Sequence, residues 1–205
     1  MKSTITHKGL KSHYLKNKKT IKERLKEFSK ERSRNELFTE LCFCICTPQS
    51  KALKVAEVIR IENVNKLLNL NHKQLANMLR RNTRFHNNKA KHIIGARTYY
   101  SALTSLPKDT IAAREFLVHN VKGLGYKESS HFLRNIGCRG LCIVDRHVIN
   151  IMHALNVFDN AKNPTSPKRY LEMESSIKDY ADKHGYDVDE LDLALWSFKT
   201  GHVFK

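Results

Sequence analysis

Lys127 follows the Gly123-Leu124-Gly125 triplet by two residues in the stretch VKGLGYKESSHFLRNIG, Val121 to Gly137. An amine in the first turn of a helix meets the positive end of the peptide dipoles. That position disfavours the ammonium and favours the neutral, nucleophilic amine. Eighteen residues further on, Asp145 stands in CIVDRH, where it is suited to cap the next helix. Alone, such an aspartate reads as a structural cap. Across a groove from a lysine it supplies a complementary role, a carboxylate that manages charge and protons beside a nucleophile.

The elements that must position these two residues are helices. A helix ending near Asn120, a tight KGLG turn and a second helix make a helix-hairpin-helix over about 109–137. Gly123 and Gly125 are required there if the turn needs positive φ and close backbone approach. Such a turn aims successive N–H groups outward beside a helix N-terminus, an arrangement that suits a DNA phosphate. An ordinary two-glycine turn between packed helices is the plainer reading of the same residues.

Charge favours the phosphate. The chain has 205 residues, 37 Lys plus Arg against 20 Asp plus Glu, and a formal charge of +17. An excess of this size points to a polyanionic partner, with nucleic acid ahead of an acidic membrane surface. No signal peptide opens the sequence, and its longest apolar run, LCFCIC, is far too short to cross a bilayer. Cys42, Cys44 and Cys46 alternate in that run as small buried hydrophobes. Cys138 and Cys142 are not spaced as a zinc knuckle, and no second pair completes a site. Free thiols in a reducing cytoplasm follow, with no membrane role and no need for more than a monomer.

With 8 Gly and 4 Pro, and apolar residues at helical spacing, the chain is expected to be all-α. Ile21, Leu25 and Phe28 share one face of a first helix. NELFTELCFCIC is apolar almost all round, which predicts a buried central helix stopped by Thr47-Pro48. Ser50 is placed to cap the next helix. A longer helix is expected from NNKAKHIIGARTYYSALTSL to Pro107, and Val148, Ile151, Met152 and Leu155 mark another that begins near Asp145. On the last helix Leu191, Ala194, Leu195 and Phe198 form one stripe. Asp192, Trp196 and Lys199 form a second, about 100° round the axis.

VKGLGYKESSHFLRNIG followed by CIVDRHV resembles the helix-hairpin-helix DNA glycosylase superfamily, to which endonuclease III belongs. The hairpin, the lysine after it and the aspartate beyond match its bifunctional members. RFHNNKAKHIIGAR, TPQSKA and the ending LDLALWSFKTGHVFK narrow the resemblance to the archaeal-type second class of 8-oxoguanine DNA glycosylases, compact enzymes that end in a lysine. It covers most of the chain from about Glu36 onward. The four-cysteine iron–sulfur motif of endonuclease III is missing, since no Cys follows Cys142, so no cluster is expected.

The resemblance implies a two-lobed fold with the active site in the groove between lobes. One lobe is expected over 31–140, the other from 1–30 plus 141–205. It implies a bifunctional enzyme that removes 8-oxoguanine from double-stranded DNA and cleaves the abasic strand by β-elimination, with Lys127 and Asp145 catalytic. The target nucleotide must leave the base stack for a pocket. Trp196 and Phe85 would stack on it, while Asp192 and the free carboxylate of Lys205 would accept its hydrogen bonds. Trp196 packed in the core, Phe85 as a core aromatic and a disordered tail are the plainer readings. Gln49 would touch the partner base or fill the gap in the stack. Gly123 and Gly125 would meet phosphate, and His131 is either a phosphate contact or structural. No metal or organic cofactor is required, although hairpins of this family hold Na⁺ or K⁺ through turn carbonyls. A glycosylase for oxidised pyrimidines and a non-catalytic DNA-binding module remain alternatives.

Overall fold

The computed structural model describes residues 5–204, and among them regular structure is helical with no strand. The helices are α1 His7–Phe28, α2 Arg34–Cys46, α3 Ala52–Val58, α4 Val64–Asn69, α5 His72–Leu79 and α6 His86–Ala96. They continue as α7 Thr110–Asn120, α8 Tyr126–Asn135, α9 Arg146–Ala154, α10 Pro167–His184 and α11 Val188–Thr200. The chain divides into two compact units, Glu31–Ile136 and Met1–Lys30 with Gly137–Lys205. No helix among the described residues is long and apolar enough to cross a membrane.

The 31–136 unit is built on α2. Ser33 and Glu36 form a capping box at its start, with each side chain bonded to the other residue's backbone N–H. Leu37, Phe38 and every residue from Glu40 to Cys46 are buried, as the all-round apolar sequence predicts. Large side chains enclosed in this way contribute roughly 1.5–3 kcal/mol each. Glu40 is the exception among them, and it has a partner: Asn135 Nδ2 donates to Glu40 Oε1 at 2.7 Å, while Arg134 Nε and Nη2 donate to Asn135 Oδ1. This buried polar triad ties α8 to α2.

Two expectations change in this unit. The helix expected to run to Pro107 ends at Ala96, and short 3₁₀ turns follow at Arg97–Tyr99 and Ala102–Ser105. Hydroxyls account for the tightening. Thr98, Thr104 and Ser105 each donate to the carbonyl three residues back, a bond that competes with the α-helical ladder. Ser50 does not cap α3, whose first turn has no side-chain cap. Its hydroxyl faces Lys89 and the Arg84 N–H instead.

In the other unit α11 is the central element, packed by α1, α9 and α10. Leu10, Tyr14, Ile21, Leu25 and Phe28 are the buried face of α1. The chain re-enters this unit at Gly137, at φ +98°, where an added Cβ would lie 2.9 Å from Ser29 Cα. Arg139 Nη2 then donates to Leu25 O at 2.9 Å and to Ser29 Oγ at 2.8 Å, adding to the bonds by which Ser29 N–H and its hydroxyl already close the end of α1 on Leu25 O. Val148, Ile151, Met152 and Leu155 are buried as their spacing predicts.

Candidate functional site

The hairpin consists of α7, the turn at 121–125 and α8. Val121 and Leu124 are buried, and Lys122, Gly123 and Gly125 are exposed, so the turn is pinned by two apolar side chains with its glycines outward. Leu124 N–H closes it on Val121 O at 3.1 Å. Arg114 of α7, 1% exposed, donates to Ser130 Oγ and lies over the Tyr126 ring, which fixes the crossing of the two helices.

The two glycines are not equivalent. Gly123 has φ +95°, and an added Cβ would fall 2.5 Å from His92 Nδ1. Gly125 has φ −96°, caps α8, and an added Cβ would come no closer than 3.5 Å to Glu128 Oε2. The expectation of positive φ therefore holds for Gly123 and fails for Gly125. Gly123→Ala is expected to destabilise the unit by about 1–3 kcal/mol, and Gly125→Ala by under about 1 kcal/mol. Urea unfolding of the two variants checks this, and equal losses would remove the backbone argument.

Lys127 is half-buried in the first turn of α8, and its Nζ lies 2.8 Å from Glu128 Oε1. The sequence reading did not assign Glu128. His131, one turn on, is not a phosphate contact. It is 8% exposed and meets the Phe43 ring edge-on at 5.8 Å between centroids. The reason is that every α8 residue from Ser129 to Asn135 is buried.

Gln49 and Phe85 belong to the same unit and share an unexpected feature. Both are exposed, with Phe85 at 52%, and both are left-handed at φ +54° and +56°. For non-glycine residues this backbone costs on the order of 1–3 kcal/mol and persists only where neighbours impose it. Phe85 is thus not a core aromatic. Arg84 places its guanidinium 5.5 Å from the Phe85 ring centroid. Between the two residues lies Lys89, 5% exposed, whose Nζ donates to Cys46 O at 2.6 Å, Pro48 O at 2.8 Å and Ser50 Oγ at 2.8 Å. Burial lowers this ammonium to about 8, opposed by the Cys46 thiol and reinforced by the positive charges of Lys127 and Arg84. Burial also pushes the Cys46 thiol up to about 12.

In the other unit Asp145 caps α9. Its Oδ1 accepts from His147 N–H and Val148 N–H, both at 2.8 Å, and Oδ2 makes no hydrogen bond among the described residues. The stretch before it, 140–144, is buried or half-buried and has neither helix nor strand to satisfy its amides. Side chains do so. Gly140 N–H donates to Asp189, Cys142 N–H to Glu174, Ile143 N–H to Asp192 and Val144 N–H to the Tyr170 hydroxyl. Tyr170 donates in turn to Cys142 O at 2.9 Å. Asp145 N–H continues the series onto Ile143 O at 2.8 Å. A row of buried acceptors from α10 and α11 therefore places Asp145.

This row corrects the reading of Asp192. It is 1% exposed and holds the Ile143 amide at 2.8 Å, so it positions the backbone and is not a free acceptor for a base. The two-stripe reading treated α11 as a helix with one buried face, but three helices surround it and residues 189–195 are all buried. Trp196 is half-buried, with its ring 6.0 Å from His202 and 6.4 Å from Phe204 between centroids. Lys205 lies outside the described residues.

Asp189 gives the row a pH dependence. Burial, with the nearby charges of Asp187 and Asp192, raises its carboxyl from 3.8 to about 6 against the Gly140 bond and Arg139. The folded group holds its proton to higher pH than the unfolded one. Stability is therefore lost as pH rises from about 4 to about 6, by on the order of 3 kcal/mol in full. Asp189→Asn keeps an oxygen for the Gly140 N–H without the charge. Its stability relative to wild type is expected to rise across that window, and urea unfolding at about pH 4 and about pH 7 measures it. A constant difference would refute the assignment.

Among the described residues no group of three or more His, Cys, Asp or Glu side chains is placed to hold a metal, and all five cysteines are free.

Residues 21–186 match the family described as 8-oxoguanine DNA glycosylase, in its helix-hairpin-helix form. The chain belongs to that family. This family member is 37% identical to the 8-oxoguanine DNA glycosylase/AP lyase of Methanocaldococcus jannaschii, over 92% of this chain and 93% of the relative. The protein of the same name from Fusobacterium nucleatum is 34% identical, over 97% and 94%. The fold agrees with the crystal structure of the M. jannaschii 8-oxoguanine glycosylase/lyase in complex with 15mer DNA containing 8-oxoguanine, at TM-score 0.88 and 35% identity, covering 97% of this chain and 98% of that one. It agrees also with the 8-oxoguanine DNA glycosylase of Thermotoga maritima, at TM-score 0.90 and 33% identity, covering 97% of each chain. The all-α helix-hairpin-helix glycosylase fold expected from the sequence is the fold of this family member.

Proposed function

We propose that the protein excises 8-oxoguanine from double-stranded DNA and cleaves the abasic strand by β-elimination. The observation that carries the reading is the match, 37% identical over 92% of the chain, to a relative named for both activities. The site residues fit the chemistry those names describe. Glu128 Oε1 pairs with Lys127 Nζ at 2.8 Å, and the amine must leave this pair and give up a proton to solvent before it attacks. The neutral amine attacks C1′, the C1′–N9 bond breaks, and the base leaves with the bonding electrons and a proton. Opening of the sugar ring gives an imine on Lys127, and loss of a C2′ proton then expels the 3′-phosphate. Asp145 balances the positive sugar through Oδ2, the oxygen its helix cap does not use. Phe85 and Trp196 are the aromatic faces for the extruded base, and the exposed glycine turn serves as a phosphate seat. The scheme uses no metal and no organic cofactor.

A duplex carrying one 8-oxoguanine opposite cytosine tests this. Free 8-oxoguanine, a β-elimination product and a borohydride-trapped covalent adduct are expected, all absent with an undamaged duplex. Binding without an adduct would leave only a basic DNA-gripping module.

A further inference from the structure

Lys89, in the first turns of α6, is buried and directs all three bonds of its ammonium at one turn. The acceptors are the last carbonyl of α2, the carbonyl of Pro48 and the hydroxyl of Ser50. They bracket Gln49 on both sides. Ser50 Oγ also accepts the Arg84 N–H at 2.9 Å, which fixes the residue before Phe85, and Lys89 N–H closes the first turn of α6 on Phe85 O at 3.0 Å. One residue thus grips the backbone beside both exposed left-handed residues of this unit, Gln49 and Phe85.

We propose that Lys89 is a positioning residue that presets Gln49 and Phe85 as a rigid pair of DNA-facing side chains. Strained residues relax unless their surroundings over-determine them, and the Lys89–Ser50 centre is the structure that does so here. A preset pair meets the lesion without first being ordered, Gln49 at the gap left in the stack and Phe85 against the extruded base, so the gain falls on recognition of the lesion and not on the amine that reacts. The idea rests on the proposed function for the roles of Gln49 and Phe85, but the restraint itself is independent of any substrate.

The test has two arms, each using Lys89→Met, which keeps length and removes the donors, and Ser50→Ala, which removes one acceptor without burying a changed charge. In the first arm, amide hydrogen exchange at Ser50 and Arg84, whose N–H groups are bonded to Thr47 O and Ser50 Oγ, is expected to quicken at least about tenfold in both variants, while the α8 amides are unchanged. Unchanged exchange at those two amides overturns the proposal whatever the enzyme does. In the second arm, Phe85→Ala is introduced into wild type and into each variant, and preference for 8-oxoguanine over guanine duplex is measured by binding. Phe85→Ala is expected to lower that preference about tenfold or more in wild type and less than about threefold in either variant. The same fold loss in every background would show that Lys89 does not act through Phe85. Wild type with no preference for the lesion duplex rejects the functional reading and the recognition role together, and the exchange arm still decides whether the restraint exists.

Discussion

Lys127→Ala is expected to abolish the borohydride-trapped adduct and to lower excision by about 10⁴-fold or more. The nucleophile's contribution is not replaceable by an ordinary water held in its place. The fold should be untouched. The Lys127 side chain is 30% exposed and its ion pair with Glu128 is partly solvated, a class of contact worth about 0–1 kcal/mol. Binding to undamaged duplex should fall only by the loss of one charge from a strongly basic protein. Single-turnover excision, adduct formation and salt-dependent binding together make the test. An adduct that survives in Lys127→Ala would assign the Schiff base to another amine, and buried Lys89, with its three bonds, is poorly placed for that role.

Asp145→Asn separates the two duties of one side chain. Asparagine caps helices about as well as aspartate, so the bonds to His147 and Val148 survive and stability should change by less than about 1 kcal/mol. What disappears is the negative charge. Excision is expected to drop about 10²–10⁴-fold, the range for removing a positioned charge or proton-transfer group. Asp145→Ala should add to this a cap loss of about 1 kcal/mol in urea unfolding. If the asparagine variant excises at the wild-type rate, Asp145 is a cap and nothing more.

Much of this was legible because the relevant signals are local. Asp145 declares its cap by lying just before an apolar stripe, and Gly123 and Lys127 declare the hairpin by spacing. Enclosure of α2 follows from its unbroken apolar run. The residues that escaped depend on what the fold brings from elsewhere. Nothing in NNKAK itself marks Lys89 as buried, and only the end of α2 arriving beside it makes Lys89 a buried donor. Left-handed backbone at Gln49 and Phe85 has no marker when the residue is neither Gly nor Asn. Asp192 misled because helical periodicity assumes one buried face, whereas α11 is covered on several sides. The acceptors for 140–144 come from positions 170, 174, 189 and 192, and no short-range pattern connects those residues to the amides they hold.

The buried acids also alter the surface that a polyanion meets at close range. Among the described residues the interior keeps Glu40, Glu174, Asp189, Glu190 and Asp192, against Lys89, Arg114 and Arg134 as cations. Burial therefore removes more acids than bases from the surface open to contact. At longer range the whole charge of +17 acts before any contact forms: it draws a nucleic acid in, raises the encounter rate, and favours one-dimensional scanning along a duplex.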